Sequence, residues 1–164
     1  GLSKLHWASL TDKYTCTENT GLFYLDEIES SRGTLDEYLQ IYREMNITKC
    51  AYCEKTATSI DHVFPFRLCR RDDFWNMLPC CRSCNSKKSD KILDISDENK
   101  LLLRAFIAHI LKDSIGDRFQ SKINYRMTID GISSLKTPEQ LVDYLLNCTL
   151  NMCDARTAGL KNPS

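Results

Sequence analysis

The sequence contains no apolar run long enough to cross a membrane, which needs roughly 20 consecutive apolar residues. The longest candidate, residues 101–110, is interrupted by Arg104 and His109 and predicts a buried helix. The first ten residues lack the apolar segment of a signal peptide, and the chain has no internal repeat or low-complexity segment. These absences favour a cytoplasmic globular protein without a membrane partner. A hydrophobic share of 42% over 164 residues is enough for one domain with a real core.

A disulfide framework is also unexpected, because nine cysteines cannot all be paired and no secretory signal is found. Four of them form two Cys-x-x-Cys pairs, Cys50 with Cys53 and Cys81 with Cys84. Zinc prefers a tetrahedral set of thiolates, so the two pairs predict one structural zinc site in a reducing compartment. Cys80 competes with Cys81 for a place in this site. Only Cys81 stands in Cys-x-x-Cys register with Cys84, and we therefore expect Cys81 to be the ligand.

Positive charge is not in excess overall, since 22 basic residues balance 22 acidic ones. Its distribution along the chain is uneven. Residues 1–49 carry five basic against eight acidic residues, residues 50–91 carry eight against five, and residues 92–164 carry nine of each. The basic surplus falls on the segment with both cysteine pairs, where a phosphate backbone would need it. A solvated face explains a bias of this size equally well, so the charge is supporting evidence for nucleic-acid binding and no more.

Helical periodicity is found on both sides of the cysteine segment and predicts helices over residues 34–46, 97–112 and 137–151. Thr34 and Glu37 form a capping box at the start of the first helix. Residues 117–132 fit a helix or a strand, and the tail from residue 156 is expected to be loose.

Between the flanking helices the pattern changes to short strands, expected over residues 58–63 and 76–78 and joined by a charged loop. Residues 85–90 have weak helical character, and Phe74 and Trp75 should pack beneath the hairpin. The predicted fold class is α+β. We expect an N-terminal helical flank, a core and a C-terminal helical extension that form one compact unit, over residues 1–49, 50–91 and 92–164.

The core segment carries residue types suited to phosphodiester chemistry. Asp61 offers a hard carboxylate oxygen and Asn85 an amide oxygen, both of which suit Mg²⁺. The unperturbed pKa of a histidine imidazole is close to neutrality, so His62, next to Asp61, is suited to deprotonate a water. Asn76 on the second strand is placed to fix the hairpin and the orientation of His62. Lys88 lies one helical turn beyond Asn85, where we expect it to contact a phosphate.

These residues resemble the HNH endonuclease family in the order Asp61-His62, Asn76, Cys81-x-x-Cys84-Asn85-x-x-Lys88, with Pro65 three residues after His62. The resemblance covers about a quarter of the chain, residues 50–91. It implies a ββα-metal, treble-clef-like core with a structural zinc apart from the catalytic residues.

The family resemblance also implies a function, the hydrolysis of DNA with Mg²⁺ or Mn²⁺ as catalytic metal. It implies His62 as general base, Asp61 and Asn85 as ligands of the catalytic metal, and Asn76 as an orienting residue. A restriction or phage-defence enzyme is the expected setting, because the flanks match no homing or packaging module.

Double-stranded DNA is the expected partner, with Arg70, Arg71, Lys87 and Lys88 as candidate phosphate contacts. A homodimer, or a partner domain or subunit outside this sequence, stays open. The alternative interpretation is a zinc module that binds nucleic acid or protein without cutting it. Such a module would tolerate the loss of His62, whereas a nuclease would lose cleavage and keep DNA binding.

Overall fold

The computed structural model describes residues 31–112 and 114–161 of the chain. Within these ranges the elements are, in chain order, α1 Ser31–Glu44, β1 Ser59–His62, α2 Phe66–Cys69, a 3₁₀ segment Phe74–Asn76, β2 Met77–Cys80, α3 Arg82–Lys88, α4 Asp97–Lys112, a second 3₁₀ segment Ser114–Phe119, α5 Gln120–Ile129 and α6 Pro138–Lys161. None of the helices in these ranges is long and apolar enough to span a membrane.

The two strands form an antiparallel hairpin in which His62 lies opposite Met77. Both strands occur close to where they were predicted, and β2 runs two residues further than expected, through Pro79 to Cys80. Every residue of β2 is buried, as are the two central residues of β1. Pro79 has no N–H to donate, but its carbonyl accepts a hydrogen bond from the Ala51 amide at 2.9 Å, which ties β2 to the first cysteine pair.

Helix α3 follows the hairpin directly and completes a ββα unit. Cys81 is its N-cap, and the thiol accepts a hydrogen bond from the Cys84 amide in the place of the usual hydroxyl or carboxylate cap. Ser89 ends the helix with a positive φ of 48°. The prediction of an α+β fold with a ββα-metal core is confirmed by this unit and by the four cysteines described below.

The flanking helices supply most of the core into which the ββα unit is packed. Tyr42 of α1 stacks on Phe106 of α4 with ring centroids 4.0 Å apart, and its hydroxyl donates to the Met77 carbonyl of β2. Phe74 and Trp75 are fully buried, as predicted, and Thr149 of α6 donates to the Trp75 carbonyl at 2.6 Å. Buried apolar residues from α1, the hairpin, α4, α5 and α6 belong to one cluster.

Three elements differ from the prediction. Helix α1 begins at Ser31, three residues before Thr34, whose side chain is outside the described part. The ambiguous stretch forms α5 rather than a strand. Helix α6 continues to Lys161 through a tail that was expected to be loose. Cys153 explains part of this length, because it is buried against the core at helical spacing from Leu150. Of the N-terminal flank, residues 1–30 lie outside the described residues.

Candidate functional site

The four cysteines of the two pairs converge. The Sγ atoms of Cys50, Cys53, Cys81 and Cys84 all lie within 4.8 Å of one another, and those of Cys53 and Cys81 are 3.7 Å apart. A zinc–sulfur bond of about 2.3 Å in a tetrahedral site puts neighbouring sulfurs about 3.8 Å apart, so the spacing suits one zinc ion. Backbone amides donate to three of the sulfurs, from Tyr52 to Cys50, from Lys55 to Cys53 and from Cys84 to Cys81. The four cysteines are therefore positioned to bind a metal.

The cluster that could hold a metal contains Cys81 and leaves Cys80 out, in agreement with the choice of Cys81. Donation from the Cys84 amide lowers the pKa of the Cys81 thiol to about 7, which favours the thiolate form that a metal requires. Burial raises the pKa of Cys80 instead, and its thiol donates to the Cys81 carbonyl at 3.2 Å. The surroundings therefore favour the thiolate form of Cys81 and the neutral thiol form of Cys80.

His62 lies at the end of β1, half-buried, and its imidazole has two neighbours. Its Nε2 is 2.7 Å from Oδ1 of Asp72, and its ring centroid is 5.2 Å from that of Phe66 in α2. The side chain of His62 keeps 13% of its surface exposed, while that of Asp72 keeps 1%. Asp72 was missed at the sequence level. It lies ten residues along the chain in a charged loop, and no motif distinguishes it from Asp73.

Asn76 holds the backbone just beyond His62. Its Oδ1 accepts from the Phe64 amide at 2.8 Å, and its Nδ2 donates to the Phe64 carbonyl at 2.9 Å. Its own carbonyl accepts from the Val63 amide at 2.9 Å. These three bonds fix the chain where it leaves β1, directly after His62.

Asp61 points away from His62 into a buried polar cluster. Its Oδ2 accepts a 2.5 Å hydrogen bond from the Tyr52 hydroxyl, and its Oδ1 lies 3.3 Å from Nζ of Lys88. Burial raises the pKa of the Asp61 carboxyl, and the Lys88 ammonium acts in the opposite direction. The ammonium also donates to the backbone carbonyls of His62 and Val63, at 2.8 and 3.3 Å.

Two of the predicted phosphate contacts, Arg71 and Lys88, are buried in this arrangement. Lys88 is 4% exposed, and its ammonium is directed to the hairpin instead of the surface. Arg71 is 6% exposed, and its Nε donates to both oxygens of Asp73 while its guanidinium lies 4.1 Å from the centre of the Tyr125 ring. Both side chains are directed inward because their charges are paired with buried carboxylates, Asp73 for Arg71 and Asp61 for Lys88. The sequence pattern, a helical spacing and a run of arginines, does not indicate this direction.

Replacement of Lys88 by Met is expected to lower the free energy of unfolding by about 3–5 kcal/mol, because the buried Asp61 carboxylate loses its cationic partner. Urea unfolding of the purified variant measures this effect. Lys87→Met is the matched control, since Lys87 is exposed on the same helical turn and should change stability by about 0.5 kcal/mol or less. Equal stabilities of the two variants would contradict the interpretation of Lys88 as a buried ion-pair partner.

The two residues expected to hold a catalytic cation differ in their availability. Asn85 is half-buried on α3, and within residues 31–112 and 114–161 its side-chain amide has no hydrogen-bond partner. Asp61 is 3% exposed, and both its oxygens are already partnered. The donor chemistry fits a divalent cation, which would have to displace Lys88 or Tyr52 from the carboxylate. Of the other predicted contacts, Arg70 and Lys87 are exposed.

Comparison with known families agrees with this geometry. Residues 50–101 match the family model for HNH endonucleases, a segment that contains both cysteine pairs, the hairpin and α3 and ends within α4. This segment, about a third of the chain, is therefore similar to the HNH endonucleases. No curated protein and no solved structure matches the chain.

Proposed function

We propose that the chain is a nuclease that hydrolyses phosphodiester bonds of double-stranded DNA, with His62 as general base. The observation that carries the proposal is the His62 imidazole at the end of β1, held against Asp72 on one side and partly open on the other. It stands within a segment that matches the HNH endonuclease family model, and the same segment contains the cysteine cluster suited to zinc. The zinc would hold the two ends of the ββα unit together and take no part in the reaction.

In the proposed reaction the His62 imidazole takes a proton from a water molecule as the water oxygen attacks phosphorus. The bond from phosphorus to the 3′ oxygen breaks, and that oxygen takes a proton from solvent. The products carry a 5′-phosphate and a 3′-hydroxyl. A bound Mg²⁺ or Mn²⁺ would stabilise the negative charge that develops on the phosphate and the leaving oxygen. Asp61 and Asn85 would hold that ion, and Asn76 would keep His62 in place through the backbone at Phe64.

Exposed basic residues of the HNH-like segment support a DNA substrate. The Arg70 guanidinium lies 6.0 Å from the centre of the Phe66 ring, and the same ring packs beside the His62 imidazole. Lys87 is exposed in the last turn of α3. We assign phosphate contacts to Arg70 and Lys87, in place of the buried Arg71 and Lys88.

The test is cleavage of supercoiled plasmid by the purified protein in Mg²⁺ or Mn²⁺, with EDTA as control. We expect nicked or linear products in either metal and none in EDTA. DNA binding, measured without divalent metal, should weaken steeply with salt, and the Arg70→Ala, Lys87→Ala double variant should reduce the slope of log affinity against log salt by about two.

Two outcomes would contradict the proposal. Binding without cleavage in every metal tested would favour the alternative, a zinc module that recognises nucleic acid or protein and does not cut. An unchanged salt slope in the double variant would remove Arg70 and Lys87 from the DNA interface.

The setting that we propose is restriction or phage defence in the cytoplasm, where the cysteine cluster stays reduced. Plating of phage on cells that express the wild-type chain or its His62→Ala variant tests it. Equal plating on the two strains would argue against defence and leave the nuclease activity to be judged by the plasmid assay.

A further inference from the structure

Asp72 makes a contact with His62 that no motif indicates. Its carboxylate is almost fully buried, its Oδ1 lies 2.7 Å from Nε2 of His62, and its Oδ2 has no hydrogen-bond partner among the described residues. Burying a carboxylate is costly unless it is paired, and the His62 imidazole is the side-chain partner that the described structure gives it. The contact is therefore an integral part of the site.

We propose that Asp72 is the positioning residue for His62 and that it selects Nδ1 as the nitrogen that accepts the proton of water. This inference rests on the proposed function of His62 as a general base. An ionised carboxylate only accepts hydrogen bonds, so Nε2 carries the hydrogen in this contact. The neutral imidazole then has its lone pair on Nδ1, and no described residue bonds to that atom. Nδ1 is consequently the nitrogen left for a water molecule.

The loop around Asp72 is held rigidly enough for this task. The Tyr38 hydroxyl, buried in α1, donates to the Asp72 carbonyl at 2.6 Å. On the next residue, the Asp73 carboxylate is bound by Arg71, and the Asp73 carbonyl accepts from the Asn76 amide at 2.9 Å. The backbone at Asp72 is thus held by helix α1 and by the bonds that Asp73 makes. When His62 takes up a proton, the adjacent carboxylate stabilises the imidazolium that forms.

The test compares Asp72→Asn with wild type in plasmid cleavage and in the ¹⁵N NMR spectrum of the imidazole. The amide has the same shape as the carboxylate but no charge, and it can present a donor or an acceptor to Nε2. We expect kcat to fall by about 10²-fold with little change in KM. In the wild type the His62 signals should report a proton on Nε2 and a bare Nδ1, and in the variant the other tautomer should become populated. His62→Gln assigns the signals.

Tyr42→Phe is the matched control, because it removes a buried hydrogen bond to the Met77 carbonyl and leaves Asp72 and its contacts in place. It should lower stability by about 1 kcal/mol and leave kcat and the tautomer unchanged. Wild-type kcat in Asp72→Asn, or a wild-type His62 with its proton on Nδ1, would overturn the inference. If the wild type does not cleave DNA, the proposed function fails, while the tautomer of wild-type His62 still decides whether Asp72 holds the ring as inferred.

Discussion

His62→Ala is expected to lower the rate of DNA cleavage by about 10²–10⁴-fold and to leave DNA affinity close to that of the wild type. The reason is that the imidazole removes a proton from the attacking water, a task without effect on ground-state binding of the phosphate backbone. Alanine also leaves the buried Asp72 without its partner and is therefore expected to cost stability. His62→Gln keeps an amide that can donate to Asp72, and should lose cleavage with less effect on folding. Single-turnover cleavage and filter binding on the same samples separate the two quantities.

His109→Ala is the control for this experiment, because His109 is a half-buried histidine of α4 and lies outside the residues assigned to the reaction. It should cleave at the wild-type rate. Equal cleavage by His62→Gln and wild type would exclude His62 as the base and favour a binding module. A loss of affinity as large as the loss of rate would mean that His62 binds DNA instead of activating water.

Removal of the metal from the cysteine cluster is expected to unfold the ββα unit. The binding of structural zinc contributes about 10–16 kcal/mol in small zinc-finger peptides, as much as the whole free energy of folding of an ordinary domain, about 5–15 kcal/mol. The protein purified without chelator should contain one zinc per chain, measured by atomic emission. Cys53→Ser should contain none and should lose most of its cooperative thermal transition.

Cys80→Ala is the matched control, because Cys80 is a buried neighbour of the cluster and does not belong to it. It should keep one zinc per chain and lose about 1 kcal/mol of stability. Loss of zinc from Cys80→Ala, or a normal thermal transition in zinc-free Cys53→Ser, would contradict the assignment of the ligands or the structural role of the metal.

Much of the fold could be predicted because its signals are local. The hairpin follows from a β-branched run and a turn, and α4 follows from helical periodicity that ends at Lys112, as predicted. The predicted start of α1 was three residues too late, and the predicted end of α6 was ten residues too early. Helix ends depend on what the last turn packs against, and the burial of Cys153 was not visible in the pattern of the tail.

In the candidate site, the positions of the polar residues on the hairpin could be predicted, but the directions of the long basic side chains could not. His62 and Asn76 occupy positions consistent with the roles expected of them, and these roles stay predictions for the experiments above. Arg71 and Lys88 were expected to contact phosphate, but a basic side chain can reach in several directions, and these two meet the buried carboxylates of Asp73 and Asp61.

The two Cys-x-x-Cys pairs alone predict one cluster positioned to bind a metal, and the pattern between and beyond them predicts the ββα unit. Ligand spacing of this kind is set by a few consecutive residues, and it can be read along the chain. Only the tertiary structure decided that Asp72 meets His62 and that Lys88 is buried beneath the hairpin. These contacts join residues 10 and 26 positions apart, and they form only when the core has fixed the loop and α3 against β1.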